Sequence, residues 1–251
     1  MTIVPGGQFL RRRRRRQAAI SPDVWYLPTK NAHLLELGWP AIAAGDLWYC
    51  DEASGNLIGS VNGLQWAPSG SPTQGESFGG SGGLAAKKAI HGTTTTKKFA
   101  LTAALAVGTA DFSFSVLVRP DAPLVGDQEV IGLSDSFYGY GWGLDFQAGY
   151  QYLWIYDDAA SHNYISGSYQ VYDGSAHLWS GQVDRNGNVV LCYDDETPTT
   201  IASVNTGNMH GETAGSFLGH SGQTAWAMLN VGVLAGAAGH LALWNKIKDL
   251  I

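Results

Sequence analysis

Aromatic side chains crowd residues 137–172, where tyrosine and tryptophan recur every few positions. Flat aromatic rings beside directed polar groups are what carbohydrate binding requires. Tyrosine and tryptophan serve equally well in hydrophobic cores and protein interfaces, where a tyrosine hydroxyl stays in contact with water. Both uses remain open from the sequence. The glycan or interface candidates are Tyr138, Tyr140, Trp142, Tyr152, Trp154 and Tyr156.

Two pairs of adjacent acids fall on predicted loops, Asp157 with Asp158 and Asp194 with Asp195. Carboxylates are hard oxygen ligands of the kind that calcium prefers, so these four are candidate ligands for a calcium cofactor. Their spacing matches no diagnostic calcium motif. The alternative is that they are turn acids in contact with water.

The sequence offers little support for an enzyme. Adjacent acids such as Asp51 and Glu52 would point to opposite faces of a strand. Neither a His-Glu-x-x-His metal motif nor a Walker-type phosphate loop occurs. His177 follows an Asp-Gly turn, and we interpret it as a structural histidine rather than a base. We therefore predict a protein without catalytic activity.

The charges of the chain are segregated. Arg11, Arg12, Arg13, Arg14, Arg15 and Arg16 are consecutive, and residues 1–16 contain no acid. The other 235 residues hold 9 basic and 21 acidic side chains, a net charge of −12. Such a block could contact nucleic acid, membrane phosphates or an acidic groove of a protein assembly. The acidic body would repel a nucleic acid, so we predict an assembly anchor that docks on protein.

Composition indicates an all-β protein. Only 14% of residues are charged, while Gly (33) and Trp (9) are abundant, as in domains with many strands and turns. No apolar run approaches the roughly 20 residues that span a bilayer, and no signal-peptide core follows the arginines. We expect neither a transmembrane segment nor a signal peptide. Cys50 and Cys192 are interpreted as buried free thiols.

The chain divides into three predicted regions: an arginine-rich arm (1–22), a transition segment (23–44) with a short helix at 31–37, and a β domain (45–251). Turn signals bound the strand candidates of the β domain, and 68–83 is predicted to be a loop. The candidates are 47–50, 93–96, 111–118, 129–133, 141–146, 152–156, 177–183, 189–193, 216–219 and 239–244. A helical turn is predicted only at 246–251.

Five stretches, taken in order, resemble the laminin-G-like, concanavalin-A-like jelly roll. They are Gly45–Asn56, Ala110–Pro120, Asp173–Trp179, Asp184–Asp194 and Leu241–Asn245, the last as the closing strand. The resemblance implies two stacked antiparallel sheets over residues 45–251. Retaining β-glucanases of this fold carry a Glu-x-Asp-x-x-Glu pattern, which is absent from this chain.

These features together predict an antiparallel β-sandwich of the jelly-roll type with an extended N-terminal arm. We predict a non-enzymatic accessory protein of a phage virion, either head decoration or tail component, that is oligomeric in its assembly. The arm would bind other virion proteins of capsid or tail, and the sandwich would face host-surface or environmental glycans. The alternative is a carbohydrate-active enzyme or a free lectin on the same fold.

Overall fold

The computed structural model describes residues 39–79, 87–92, 98–121, 128–134, 140–147, 150–158, 161–165, 173–202, 207–209, 216–219 and 222–249. Regular structure in these ranges is β except for one helix. The elements are β1 (Ala44–Trp48), β2 (Leu57–Ile58), β3 (Gln65–Ser69), β4 (Thr73–Ser77), β5 (Lys88–Gly92), β6 (Lys98–Leu101), β7 (Phe112–Pro120), β8 (Gln128–Ser134), β9 (Gly141–Gln147), β10 (Tyr150–Tyr156), β11 (Ser161–Ile165), β12 (His177–Val183), β13 (Asn188–Tyr193), β14 (Thr199–Ala202), β15 (Phe217–Leu218), β16 (Gly222–Val231) and α1 (Gly236–Ile247).

The strands form two antiparallel sheets, which confirms the predicted sandwich. Sheet A has the order β14-β13-β12-β7-β16-β5-β4, with β1 also paired to β16. Sheet B has the order β11-β10-β9-β8-β15-β6-β3-β2. The arm at 1–22, the helix predicted at 31–37 and the strand predicted at 93–96 lie outside the described residues.

The main core lies between the sheets, and every second residue of β7 contributes to it. Phe112, Phe114, Val116 and Val118 all belong to it. The ring of Trp142 from sheet B lies 4.9 Å from Phe112 and 5.0 Å from Phe114, between ring centroids. Each such aromatic pair contributes about 0.5–1.5 kcal/mol beyond the burial of its area, so Trp142 helps to hold the sheets together.

A second apolar cluster covers the outer face of sheet A and corrects the prediction for the C-terminus. Residues 239–244 were predicted to be the closing strand, but they lie inside α1. Gly239, His240, Leu243, Trp244 and Ile247 are buried along one face of the helix. Their spacing of three and four residues is helical, and good helix formers separate them, so the apolar pattern serves a helix that packs on the sheet.

The longest strand, β16, was missed by the sequence analysis. Nearly all of its residues are buried, because one face meets the main core and the other meets the second cluster. The middle of β16 carries apolar residues on both faces, so this part of the strand shows no alternation of polar and apolar residues. Residues 68–83 were wrongly predicted to be a loop, since they include β4, whose half-exposed polar residues give no apolar signal.

Other predictions are confirmed. The β12–β13 hairpin forms around the turn at Asp184–Asn188, with Gly187 N donating to Asp184 O at 3.2 Å. Cys50 and Cys192 are free and buried, and burial raises the pKa of the Cys192 thiol to about 12. Trp48 and Trp179 lie in the core, as expected of large apolar rings.

Candidate ligand-binding face

An aromatic row runs along the outer face of β10. Gln151, Leu153 and Ile155 are buried toward the core, so the alternating residues point the other way. Those residues are Tyr150, Tyr152, Trp154 and Tyr156, which we call the aromatic stripe. At about 3.3 Å per residue the stripe is roughly 20 Å long. It is long enough to follow several units of an extended ligand.

The centre of the stripe lies on a floor of glycines. Gly132 and Gly143 are paired across β8 and β9, and Gly143 is paired with Trp154 of β10. A Cβ atom on Gly143 would lie 2.4 Å from Cζ2 of Trp154, and one on Gly132 would lie 2.3 Å from Cζ of Phe217. The missing side chains therefore make room for the Trp154 and Phe217 rings, which explains why both are buried on an outer face.

Aromatic contacts fix the ring of Trp154. Its centroid lies 5.2 Å from that of Tyr156 and 6.2 Å from that of Phe217. Its indole Nε1 donates a hydrogen bond to Asp145 Oδ2 at 3.0 Å. The ring is thereby held in one orientation before any ligand arrives, which lowers the entropy lost on binding.

Charged groups adjoin the stripe. Asp145 of β9 lies opposite Tyr152 on one side and opposite Glu129 of β8 on the other. Lys98 Nζ lies 3.9 Å from Glu129 Oε2 and 5.4 Å from the centroid of the Phe217 ring. Burial raises the pKa of Glu129, and the charge of Lys98 opposes that shift. Side chains with negative and positive charge therefore lie next to the aromatic stripe.

The six aromatic candidates separate in the structure. Tyr152, Trp154 and Tyr156 share the stripe, whereas Trp142 points from β9 into the core and offers no face to a ligand. Tyr140 is exposed and immediately precedes Gly141, the residue paired with Tyr156. Tyr138 lies outside the described residues.

Four residues of this face were not among the candidates predicted from the sequence: Tyr150, Asp145, Gly143 and Phe217. Tyr150 was recognisable, because it continues the two-residue period of Tyr152, Trp154 and Tyr156. The others carry no local signal, since their role depends on cross-strand register and on β15 lying beside β8.

Asp157 and Asp158 both accept hydrogen bonds from other parts of the fold. Asp157 is buried and its Oδ2 accepts from Arg185 Nη2 at 3.2 Å and from Gly207 N at 3.0 Å. Asp158 Oδ1 accepts from Asn208 N at 2.8 Å. These contacts fasten the segment at 207–209 to the end of β10.

The second pair of acids lies at the end of β13. Asp194 Oδ2 accepts from His177 Nδ1 at 2.8 Å, and its Oδ1 accepts from Leu178 N at 2.8 Å. Asp173 Oδ1 contacts His177 Nε2 at 3.0 Å. Asp195 is exposed. Within the described ranges, no group of three His, Cys, Asp or Glu residues could hold a metal ion, and calcium at these four acids stays a prediction.

Burial alone would lower the pKa of His177, but its hydrogen bonds and charge contacts with Asp194 and Asp173 outweigh burial and raise the pKa. Partial burial would raise the pKa of Asp173, but the hydrogen bond from Ser175 N and the contacts with His177 outweigh it and lower the pKa. This cluster ties the start of β12 to the end of β13.

Comparison with known proteins identifies similar folds only. No family model and no curated protein matches the chain. The binding domain of botulinum neurotoxin DC in complex with SialylT aligns with a TM-score of 0.61 at 11% identity, over 84% of this chain and 52% of that one. The same domain in complex with rat synaptotagmin II gives 0.60 at 10%, over 81% and 52%.

The botulinum neurotoxin serotype G binding domain gives a TM-score of 0.55 at 13% identity, over 79% of this chain and 50% of that one. The fold is shared with toxin binding domains. The chain spans about half the length of each of these solved structures. The likeness concerns the β-sandwich fold, which hosts many functions.

The arginines at 11–16 lie outside the described residues. Among the residues that are described, no helix is both long and apolar enough to cross a bilayer.

Proposed function

We propose that this protein is a non-enzymatic glycan-binding β-sandwich whose ligand lies along the aromatic stripe. The observation that carries the proposal is the outward row of Tyr150, Tyr152, Trp154 and Tyr156, with Asp145 fixed beside it by the Trp154 indole. Aromatic rings offer flat apolar surface to the C–H faces of sugars, and the half-buried Tyr152 and Tyr156 carry hydroxyls that can hydrogen-bond those of a sugar.

Similar solved structures support a binding role. One such toxin domain is in complex with SialylT, and cell entry of botulinum neurotoxin type C, another of these toxins, depends on interaction with two ganglioside molecules. A third is in complex with rat synaptotagmin II. The four aromatic residues of the stripe span about 20 Å along β10 and lie beside charged groups, which favours an oligosaccharide over a single sugar.

A glycan array tests the proposal. Wild-type protein should bind a subset of oligosaccharides, and the double variant Tyr152→Ala/Tyr156→Ala should lose that signal while keeping the circular dichroism of the wild type. Ile58→Ala is a matched control, because Ile58 is an exposed apolar residue of sheet B away from the stripe. Silence of the wild type across the array would contradict glycan binding.

The competing hypothesis is an enzyme, whose catalytic groups would be two carboxylates beside the stripe. Glu129 and Asp145 are cross-strand neighbours, and the pKa of Glu129 is raised, as expected of a general acid. Incubating the array's best oligosaccharide with the protein should release no reducing ends. Turnover that is abolished by Glu129→Gln would replace our proposal by a glycosidase.

We assign the arginine block, residues 11–16, to anchoring in a larger assembly, and the phage virion is our proposal for that assembly. The charge segregation supports an arm that binds acidic protein surfaces. Asn230 holds the first described residues, since its Nδ2 donates to Ala41 O at 2.9 Å. Trp39 is buried in the second cluster, on the side of sheet A. The first described residues of the chain therefore lie on the side of sheet A that is opposite the stripe.

Deletion of residues 1–16 tests the anchor. Incorporation into purified particles should be lost, whereas the thermal unfolding of the sandwich should be unchanged. Replacing all six arginines by lysine keeps the positive charge but removes the paired N–H groups with which a guanidinium binds a carboxylate. We therefore expect the lysine variant to be incorporated into particles only partially. Full incorporation of the deletion variant would overturn the anchoring role.

A further inference from the structure

Beyond the arginine block, the chain has two arginines, Arg119 and Arg185. Arg185 forms a buried ion pair with Asp157. Arg119 instead lines a surface cleft of about 250 Å³ together with Pro120, Asp121, Gly174 and Gln223. This cleft lies at one end of sheet A, away from the aromatic stripe on sheet B.

The backbone fixes the guanidinium of Arg119. Its Nε donates to Gly174 O at 2.6 Å, and its Nη1 donates to Phe78 O at 3.3 Å. A Cβ atom on Gly79 would lie 2.2 Å from Nη1, so the glycine makes room for the arginine head. A guanidinium carries five N–H donors, and these two bonds leave others to face a ligand.

An acceptor is fixed next to this donor. Asp121 Oδ2 contacts His91 Nε2 at 2.9 Å, and His91 Nδ1 contacts Glu76 Oε2 at 3.0 Å. Gln223, paired with both His91 and Arg119 across the sheet, donates from Nε2 to Ser77 O at 2.9 Å. The Asp121 side chain remains 47% exposed, so its carboxylate is both oriented and accessible.

We propose that the cleft is a second binding site, which takes one neutral sugar ring through two adjacent hydroxyl groups. One hydroxyl donates to the Asp121 carboxylate and its neighbour accepts from the Arg119 guanidinium. A vicinal diol matches a carboxylate and a guanidinium held side by side, because each hydroxyl can donate and accept. The volume is below the roughly 300–1,000 Å³ of larger ligand pockets, which suits a single ring.

The exposed Asp121 carboxylate disfavours an acidic ligand. A carboxylate on the ligand would be repelled by that of Asp121, whereas a neutral ring would not. This site does not depend on glycan binding at the stripe. A monosaccharide suffices for the cleft, whereas the stripe is proposed for an oligosaccharide.

Amide chemical shifts of the full chain, titrated with methyl α-D-glucopyranoside, methyl α-D-galactopyranoside and methyl α-D-mannopyranoside, test the inference. At least one of these should shift the amides of Gly174, Asp121 and Gln223, and sodium glucuronate should bind more weakly than the neutral glycosides. Asp121→Asn should weaken binding about tenfold, because the acceptor that remains carries no charge and forms a weaker hydrogen bond.

Asp195→Asn is the matched control, since Asp195 is an exposed acid outside the cleft, and its affinity should equal that of the wild type. Tyr152→Ala should likewise leave the cleft unaffected, which separates this site from the stripe. The inference is overturned if none of the three glycosides shifts these amides, if glucuronate binds best, or if Asp121→Asn binds as wild type.

Discussion

The indole ring of Trp154 packs directly on Gly143, where a Cβ atom would come within 2.4 Å of the ring. Because Gly143 has no side chain, the Trp154 ring lies close against the backbone of sheet B, and this close approach determines how far the stripe projects from the sheet. A single methyl group at Gly143 should therefore lift the ring and disturb the proposed ligand surface while leaving the main core intact.

Gly143→Ala is predicted to reduce oligosaccharide affinity about tenfold, because the displaced Trp154 ring would no longer support the surface that contacts the ligand. Gly181→Ala is the matched control, because its Cβ would lie 2.4 Å from Phe114 inside the core. The control should lower the unfolding temperature and keep the affinity. Isothermal titration calorimetry measures the affinities and thermal unfolding curves give the unfolding temperatures. A Gly143→Ala protein with wild-type affinity would contradict a role for the Trp154 position.

Asp157→Ala is predicted to destabilise the fold by about 3–5 kcal/mol, because it leaves the buried charge of Arg185 without its carboxylate. Asp158→Ala removes an exposed hydrogen bond to Asn208 and should cost about 1 kcal/mol. Urea unfolding curves give both free energies. Equal losses in the two variants would show that the buried ion pair has no special weight.

Asp46 organises the turn that follows β2. Its buried carboxylate accepts from Val61 N at 2.7 Å, Leu64 N at 2.9 Å and Asn62 N at 3.1 Å. Asp46→Asn should destabilise the protein by about 3 kcal/mol, because the amide group turns a donor toward these N–H groups. Asp195→Asn, at an exposed acid, should be neutral in the same urea experiment, and a neutral Asp46→Asn would refute this account of the turn.

His177 makes stability depend on pH. Its pKa is raised in the fold, so its contribution is complete below the ordinary histidine value of about 6.5 and is lost as the pH rises through the folded value. The destabilisation caused by His177→Gln should be larger at about pH 5.5 than at about pH 8.5. A difference in unfolding free energy that does not change with pH would contradict the contacts with Asp194 and Asp173.

His240 should behave in the opposite sense. Burial lowers its pKa, and the backbone contact from its Nε2 to Asp194 O at 2.7 Å only partly opposes that shift. Its contribution is present above the ordinary value and is lost as the pH falls. His240→Gln should therefore destabilise the protein more at about pH 8 than at about pH 5, and the reverse order would contradict a buried neutral imidazole.

The sequence was most informative where turn signals bound a short strand candidate. It predicted β7 and β10 in this way, but it left open whether Tyr152, Trp154 and Tyr156 point outward. It failed for β16, which is buried on both faces, and for α1, whose apolar residues were taken for a strand. In both places tertiary packing, rather than local pattern, decides the structure.

The candidate site was predictable only in part. Tyrosine and tryptophan types pointed to a stacking surface, but Trp142 on β9 faces the core because it lies one residue out of phase with Gly141 and Gly143. The partners Asp145 and Phe217 reach the stripe through the register of β8, β9 and β15. Register between strands distant in sequence has no local signal, so these residues emerge only from the fold.

The central claim is that Tyr152 and its neighbours in the stripe bind an oligosaccharide. Calorimetric titration of the best array ligand tests it with Tyr152→Ala, Tyr152→Phe and Ile58→Ala. The alanine variant should lose about tenfold in affinity, the phenylalanine variant should retain most of it because the ring stays, and Ile58→Ala should equal the wild type. Equal affinity in all three variants would contradict the account.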